Sequence, residues 1–232
     1  MVKVRIAAPV LQENSAAAAE NRSLFQELGL FVVNLMSSPG SGKTSILERT
    51  LSHLPADLKV GVIEGDIYTT KDAERVAAHG VPVVQINTAG ACHLDARMVK
   101  AALEDLPLKE LDLLLVENVG NLICPAEFDL GEDARVVVLS VTEGADKPLK
   151  YPLVFRLAAV ALVNKTDLLP YTDCDLDALC RDLRVVNPEL TIFPVSARLD
   201  TGFAPWVKWL RERVRIKKGR GGGSHEQESA GI

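Results

Sequence analysis

The 232-residue chain contains no apolar run that approaches the roughly 20 residues needed to cross a bilayer. Its first residues, Met1-Val2-Lys3-Val4-Arg5, lack the apolar stretch and small-residue cleavage pattern of a secretory signal. Nor is there a surplus of basic charge: the net charge is -5 and the pI is near 5.5. Nucleic acids and anionic membranes are bound by clustered Lys and Arg that displace counterions. Both partner classes are therefore excluded, and the one basic cluster, Arg211 to Arg220, reads as a solvated helix end and tail. Cysteine is scarce. In the cytoplasmic setting that these absences predict, Cys92, Cys124, Cys174 and Cys180 stay thiols, with metal or core roles ahead of disulfides.

What the chain does have is a strand-loop-helix signature for phosphate. The apolar run Leu30-Phe31-Val32-Val33-Asn34-Leu35-Met36 meets Ser37-Ser38-Pro39-Gly40-Ser41-Gly42-Lys43-Thr44, and Ile46, Leu47, Thr50, Leu51 and Leu54 follow at helical spacing. Successive backbone N–H groups in such a loop form an anion nest, and the helix behind it adds unpaired N–H groups and the positive end of its dipole. Lys43 is expected on the β- and γ-phosphates, and the Thr44 hydroxyl on Mg²⁺. An ordinary helix start with a solvated Lys43 is the plainer alternative, which the strand before and the helix after argue against. The usual pattern opens on glycine, whereas Ser37 stands here; Gly40 is the residue expected to supply the missing flexibility.

Further strands end on polar residues, as ligand-binding strands of doubly wound sheets do. Val60 to Asp66 closes on Asp66, a candidate for Mg²⁺ or its water shell, with a helix cap for Thr69 to His79 as its alternative. After the strand Pro82 to Ile86 come Cys92 and His93, just before a helix carrying Leu94, Met98, Val99, Ala102 and Leu103. A metal-binding pair and a core cysteine beside a surface histidine are equally good readings of that string. The near-continuous hydrophobic run Leu111 to Val116 suits a parallel strand covered on both faces. It ends in Glu117-Asn118-Val119-Gly120, a Mg²⁺-side carboxylate followed by a backbone N–H for a γ-phosphate, the pattern of a switch segment. Cys124 lies four residues further on and would ride on that switch. Ala158 to Val163 is another strand, and the Asn164-Lys165-Thr166-Asp167 after it matches the guanine-reading element of GTPases, with Ser196-Ala197 against the base. Cys180 sits on the stripe Leu176, Leu179, Leu183; a Cys174–Cys180 metal pair has no third ligand nearby. Asn14 to Leu28 reads as an amphipathic packing helix ended by Gly29.

In this order the pieces resemble the HypB family, GTPases that help insert nickel into [NiFe]-hydrogenase. The resemblance covers about Leu30 to Leu210 and rests on Ser37 to Thr44, Gln85 to Asp95, Glu117 to Leu122, and Val141-Thr142-Glu143-Gly144. Ser37 is itself usual in that family. The N-terminal Cys-rich or His-rich nickel stretch of some members is absent, which argues against nickel storage.

The resemblance implies a doubly wound, mostly parallel α/β sheet with helices on both faces, a P-loop NTPase of the SIMIBI GTPase type. The chain is expected to divide into a helical extension (1–29), a GTPase domain with an embedded metal site (30–215) and a tail (216–232), which from Gly219 on reads as disordered by its Gly-rich, charged composition and whose His225 is expected to be inert. By position, Cys92, His93 and Cys124 are the expected ligands of Ni²⁺ or Zn²⁺ at a dimer interface. GTP or GDP is expected on Pro39, Gly40, Ser41, Gly42, Lys43, Thr44, Ser45, Gly120, Asn164, Lys165, Asp167, Ser196 and Ala197, with Lys150 reaching nucleotide across the interface. Lys43, Thr44, Asp66 and Glu117 are expected to carry slow hydrolysis, with Thr44, Asp66 and Glu117 on the Mg²⁺ side. The expected partners are a second copy in a GTP-dependent homodimer, a hydrogenase maturation protein and the hydrogenase large-subunit precursor. A sister GTPase serving urease or a cobalamin enzyme is the nearest alternative, though urease GTPases usually carry Cys-Pro-His. A small-molecule kinase and a structural metal-binding dimer are further ones.

Overall fold

The computed structural model describes residues 8–66 and 70–221. The expectations for the first seven residues, for Thr69 and for the tail beyond Gly221, including His225, lie outside them. In chain order the elements are α1 (Ala8–Glu27), β1 (Phe31–Ser37), α2 (Lys43–His53), β2 (Val60–Asp66), α3 (Lys71–Ala77), β3 (Val83–Asn87) and α4 (Ala96–Leu103). There follow β4 (Leu113–Glu117), α5 (Cys124–Glu127), β5 (Ala134–Ser140), α6 (Lys147–Lys150), α7 (Pro152–Arg156), β6 (Val160–Asn164), α8 (Leu176–Val186), β7 (Thr191–Pro194) and α9 (Phe203–Gly221).

The seven strands form one sheet in the order β3-β2-β4-β1-β5-β6-β7, and every pairing is parallel. The crossover from β1 runs to β2 on one side and the one from β4 passes β1 to β5 on the other, so the strand order reverses beside β1. Ligands of open α/β sheets collect at the carboxyl ends of strands at such a point, and the phosphate loop follows β1 there.

Because side chains alternate across a strand, β1 supplies both layers. Phe31, Val33 and Leu35 face a core closed by α2 and α9, with Trp206 fully buried and its indole N–H donating to Thr50 Oγ1 at 2.9 Å. Leu30, Val32 and Met36 pack into the opposite layer with α1, α4, α7 and α8. Asn34 lies on that second face, fully buried, and its amide becomes part of the site. α9 runs through Gly221, past the point at 215 where a tail was expected to begin; Lys217 is buried in it and pairs with Asp133 at 2.6 Å.

Candidate nucleotide and metal sites

Gly40 and Gly42 take positive φ of 78° and 92°, which glycine adopts without the steric cost a Cβ would impose. Gly40 thus supplies the turn that Ser37 in the leading position does not. A Cβ on Gly42 would also stand 2.6 Å from Asn164 Nδ2. That amide donates to Ser41 O at 2.9 Å, while its oxygen accepts from the Ala197 N–H at 3.1 Å. Asn164 therefore locks the phosphate loop to the segment expected against the base. Lys165, itself at φ 61°, donates from Nζ to Gly40 O at 2.8 Å, and Asp167 accepts from Ser196 Oγ at 2.5 Å. Gly42, Ser45, Asn164, Lys165, Asp167 and Ala197 line one cavity of about 740 Å³.

On the phosphate side, Thr44 Oγ1 donates to Glu117 Oε1 at 2.9 Å and Lys43 Nζ lies 3.9 Å from the same oxygen. Lys43 also donates to Ser37 Oγ at 3.1 Å. Gly120 packs on the loop so closely that a Cβ would meet Pro39 Cα at 3.1 Å. Asp66 ends β2 partly exposed; α3 begins five residues later with Thr70 at its cap, so Asp66 is not that helix's cap. Lys150 is exposed on α6 and paired with Asp146 at 2.5 Å.

Sequence reasoning missed three residues here. Glu64 lies opposite Glu117 in the β2–β4 register, and both are buried. One oxygen of each has no partner among the described residues. Burial pushes both carboxyls up, to about 10 for Glu64, where the neighbouring Glu117 charge adds to the effect, and to about 7 for Glu117, where Lys43 opposes it. Orphaned buried carboxylate oxygens next to a Thr hydroxyl suit a hard divalent cation, so the residues present fit Mg²⁺. The signal for Glu64 was its spacing, two residues before Asp66 on the same face of an otherwise apolar strand. The other two are Glu143, which accepts from Ser41 Oγ at 2.5 Å, and Lys147, whose Nζ donates to Ser38 Oγ at 3.3 Å.

The second site lies where α4 and α5 begin. Cys92 Sγ is 3.0 Å from Cys124 Sγ and 3.7 Å from His93 Nδ1, and the three donor atoms all lie within 4.8 Å of one another. A tetrahedral ion with Zn–S and Zn–N bonds of ordinary length separates its ligands by about 3.4–3.8 Å, a spacing these atoms bracket. The structure brings all three expected ligands together within one chain; Cys174 and Cys180 belong to no such cluster among the described residues. His93 stacks on Phe128 at 3.8 Å between ring centroids, and its burial lowers the imidazole pKa, favouring the neutral form that binds metal. The Cys124 thiol is pushed up by its hydrogen bond with Cys92 and by burial. Residues sequence reasoning did not single out join the two sites. Asn118 Oδ1 accepts from the Leu94 N–H at 3.0 Å, Asn118 Nδ2 donates to Asn34 Oδ1 at 3.2 Å, and Asn121 Nδ2 reaches Cys92 O at 3.4 Å.

Comparison with known proteins gives the family. Residues 31–194 match the family model for the CobW/HypB/UreG nucleotide-binding domain, which makes the chain a nucleotide-hydrolysing P-loop protein of that class. It is 54% identical over 212 residues to a hydrogenase maturation factor HypB of Azotobacter vinelandii, covering 91% of this chain and 70% of the relative. A crystal structure of HypB from Helicobacter pylori in complex with nickel superposes with a TM-score of 0.84 at 38% identity, covering 89% of this chain and 97% of that one. A LAO/AO transport system kinase shares the fold alone, with a TM-score of 0.56 at 14% identity over 95% of this chain and 82% of that one. The chain belongs to the HypB family of hydrogenase maturation factors.

Proposed function

We propose that the chain is a slow GTPase that acts as a nickel-delivery switch in [NiFe]-hydrogenase maturation. The observation that carries this reading is a single eight-residue segment, Glu117 to Cys124. Its first residue touches Thr44 and Lys43, Gly120 rests on the phosphate loop, and its last residue is a thiol 3.0 Å from Cys92. Whatever moves the first part for a γ-phosphate moves a metal ligand.

Gly40 to Ser45 would cradle the phosphates, with Lys43 neutralising charge on the β- and γ-oxygens. Asn164, Lys165 and Asp167 would select guanine, with Ser196 and Ala197 steadying the base. Thr44, Asp66 and Glu117 would hold Mg²⁺, which when bound supplies further charge neutralisation for an in-line displacement. Phosphoryl transfer asks little covalent chemistry of the protein, so positioning and electrostatics carry most of it. Cys92, His93 and Cys124 would hold the cargo ion, Ni²⁺ or Zn²⁺, since thiolate and imidazole suit both. Three donors from one chain leave square-planar or tetrahedral ions a ligand short, which supports a shared site between two copies in a GTP-dependent homodimer. In that dimer Lys150 would approach the partner's nucleotide. The proposed partners are a maturation protein and the hydrogenase large-subunit precursor, met in the cytoplasm; among the described residues no helix is long and apolar enough to cross a membrane. The GTPase domain is taken as 30–221, through the end of α9, with the N-terminal helix preceding it.

The test is the Ni²⁺ affinity of the full chain with GDP and with a non-hydrolysable GTP analogue. A difference of tenfold or more is expected; equal affinities would overturn the switch. Phosphate release, with ATP as competitor, separates this reading from a kinase and from a metal-binding dimer that does not turn nucleotide over.

A further inference from the structure

α1 has so far been only a packing helix, yet it carries two asparagines that are 3% and 1% exposed, Asn14 and Asn21. A buried amide is costly unless its hydrogen bonds are made. Seven residues apart, and so on one face of a helix, both spend theirs on backbone of the two segments that bear the metal ligands. Asn14 Oδ1 accepts from the Ala96 N–H at 2.8 Å, and its Nδ2 donates to Asp129 O at 2.9 Å. Asn21 Nδ2 is shared between Ala96 O at 2.9 Å and Leu130 O at 3.0 Å. Ala96 stands three residues after His93. Asp129 and Leu130 directly follow Phe128, the ring on which His93 stacks. Exposed pairs repeat the pattern: Arg22 grips both oxygens of Asp129 at 2.7 and 2.8 Å, Arg97 pairs with Glu13 at 3.1 Å, and Lys100 pairs with Glu20.

We propose that α1 is a positioning element of the metal site. From outside the ligand shell, Asn14 and Asn21 tie the Cys92–His93 segment to the Cys124 segment and so set the spacing of the donor atoms. The inference rests on the metal-site reading above. It follows that drawing α1 off the body loosens the ion without touching a ligand.

The experiment titrates Ni²⁺ into full-length variants, following thiolate-to-metal charge-transfer absorbance, thermal stability and GTP turnover. Outer contacts that orient ligands typically change metal affinity by about 10–100-fold, and Asn21→Ala is expected to weaken Ni²⁺ about tenfold at this lower end, with a shifted absorbance band and unchanged turnover. Asn187→Ala removes a comparable amide clamp, on Phe155 O at 3.0 Å and Ala158 O at 2.9 Å, which bonds to neither segment bearing the proposed ligands. It should lower stability and leave Ni²⁺ affinity alone. A folded Asn21→Ala with wild-type affinity, or an Asn187→Ala loss as large as that of Asn21→Ala, overturns the proposal. Should Asn21→Ala fail to fold, the exposed Arg22→Ala decides: a loss of affinity of two- to threefold or more supports the role and none overturns it. Cys92→Ala keeps the two ideas apart, because Ni²⁺ stoichiometry unchanged in that variant would remove the site itself.

Discussion

Asn118, the residue after Glu117, holds the backbone N–H of Leu94 at 3.0 Å, and Leu94 is the residue after His93. The end of β4 and the loop bearing Cys92 and His93 are therefore one hydrogen-bonded unit, anchored beneath by Asn34. Removing the amide leaves buried donors unpaired, a loss of about 1–3 kcal/mol. Asn118→Ala should lower thermal stability and collapse the ratio of Ni²⁺ affinities with GTP analogue and GDP towards one. Retention of the full ratio would show that the signal travels by another route.

Gly120 approaches Pro39 by backbone, at 3.1 Å from Cα and 3.3 Å from N for a built Cβ, so no side-chain rotation relieves the contact. Gly120→Ala must shift either the switch or the phosphate loop. A misplacement of about 1 Å can cost on the order of 10²-fold in rate. GTP turnover should drop by that order in single-turnover assays, with GDP affinity far less affected.

Asp167 is held by Ser196 at 2.5 Å with its carboxylate on the cavity lined by Lys165 and Ala197. A site built to hydrogen-bond a substrate rejects one lacking the match by roughly 10⁴–10⁵. Asp167→Ala should weaken GTP at least a hundredfold by calorimetry and erase most of its preference over ATP.

Glu64 is a buried acid whose folded pKa lies near 10 because of burial and the adjacent Glu117. A carboxyl raised in the folded state stabilises fully below its unfolded value, near 4.5, and that contribution is lost as pH climbs towards the folded value. The nucleotide-free protein should therefore be more stable at pH 5 than at pH 8. Glu64→Gln should flatten that slope, with a higher Tm than wild type at pH 8 and a similar one at pH 5; for a chain this size each kcal/mol moves Tm by about 2–4 °C.

The Cys124 thiol is pushed up by Cys92 and by burial, so it is protonated before an ion binds. Binding must release protons. Ni²⁺ affinity should rise with pH through neutrality, and calorimetry in two buffers of different ionisation enthalpy should detect the released protons.

Composition and local pattern were enough for the strand-loop-helix around Gly40 and for the parallel strands, because each is written in contiguous residues whose spacing reflects strand or helix period. Gly40 and Gly42 shape the loop where they stand, and Asn164 and Lys165 bond to it directly after β6. The residues around Cys92 and His93 left a metal role open, since a two-residue string does not reveal whether a third donor lies near it; only the resemblance to a family grouped them with Cys124. The tertiary fold decided what depends on residues far apart in the chain. It set Cys124 beside Cys92 across 32 positions, Glu64 against Glu117 through strand register, and Asn14 and Asn21 beneath both ligand segments. Those contacts arise from parallel pairing and from which face of β1 each layer covers, and neither leaves a period or a motif in the string of residues.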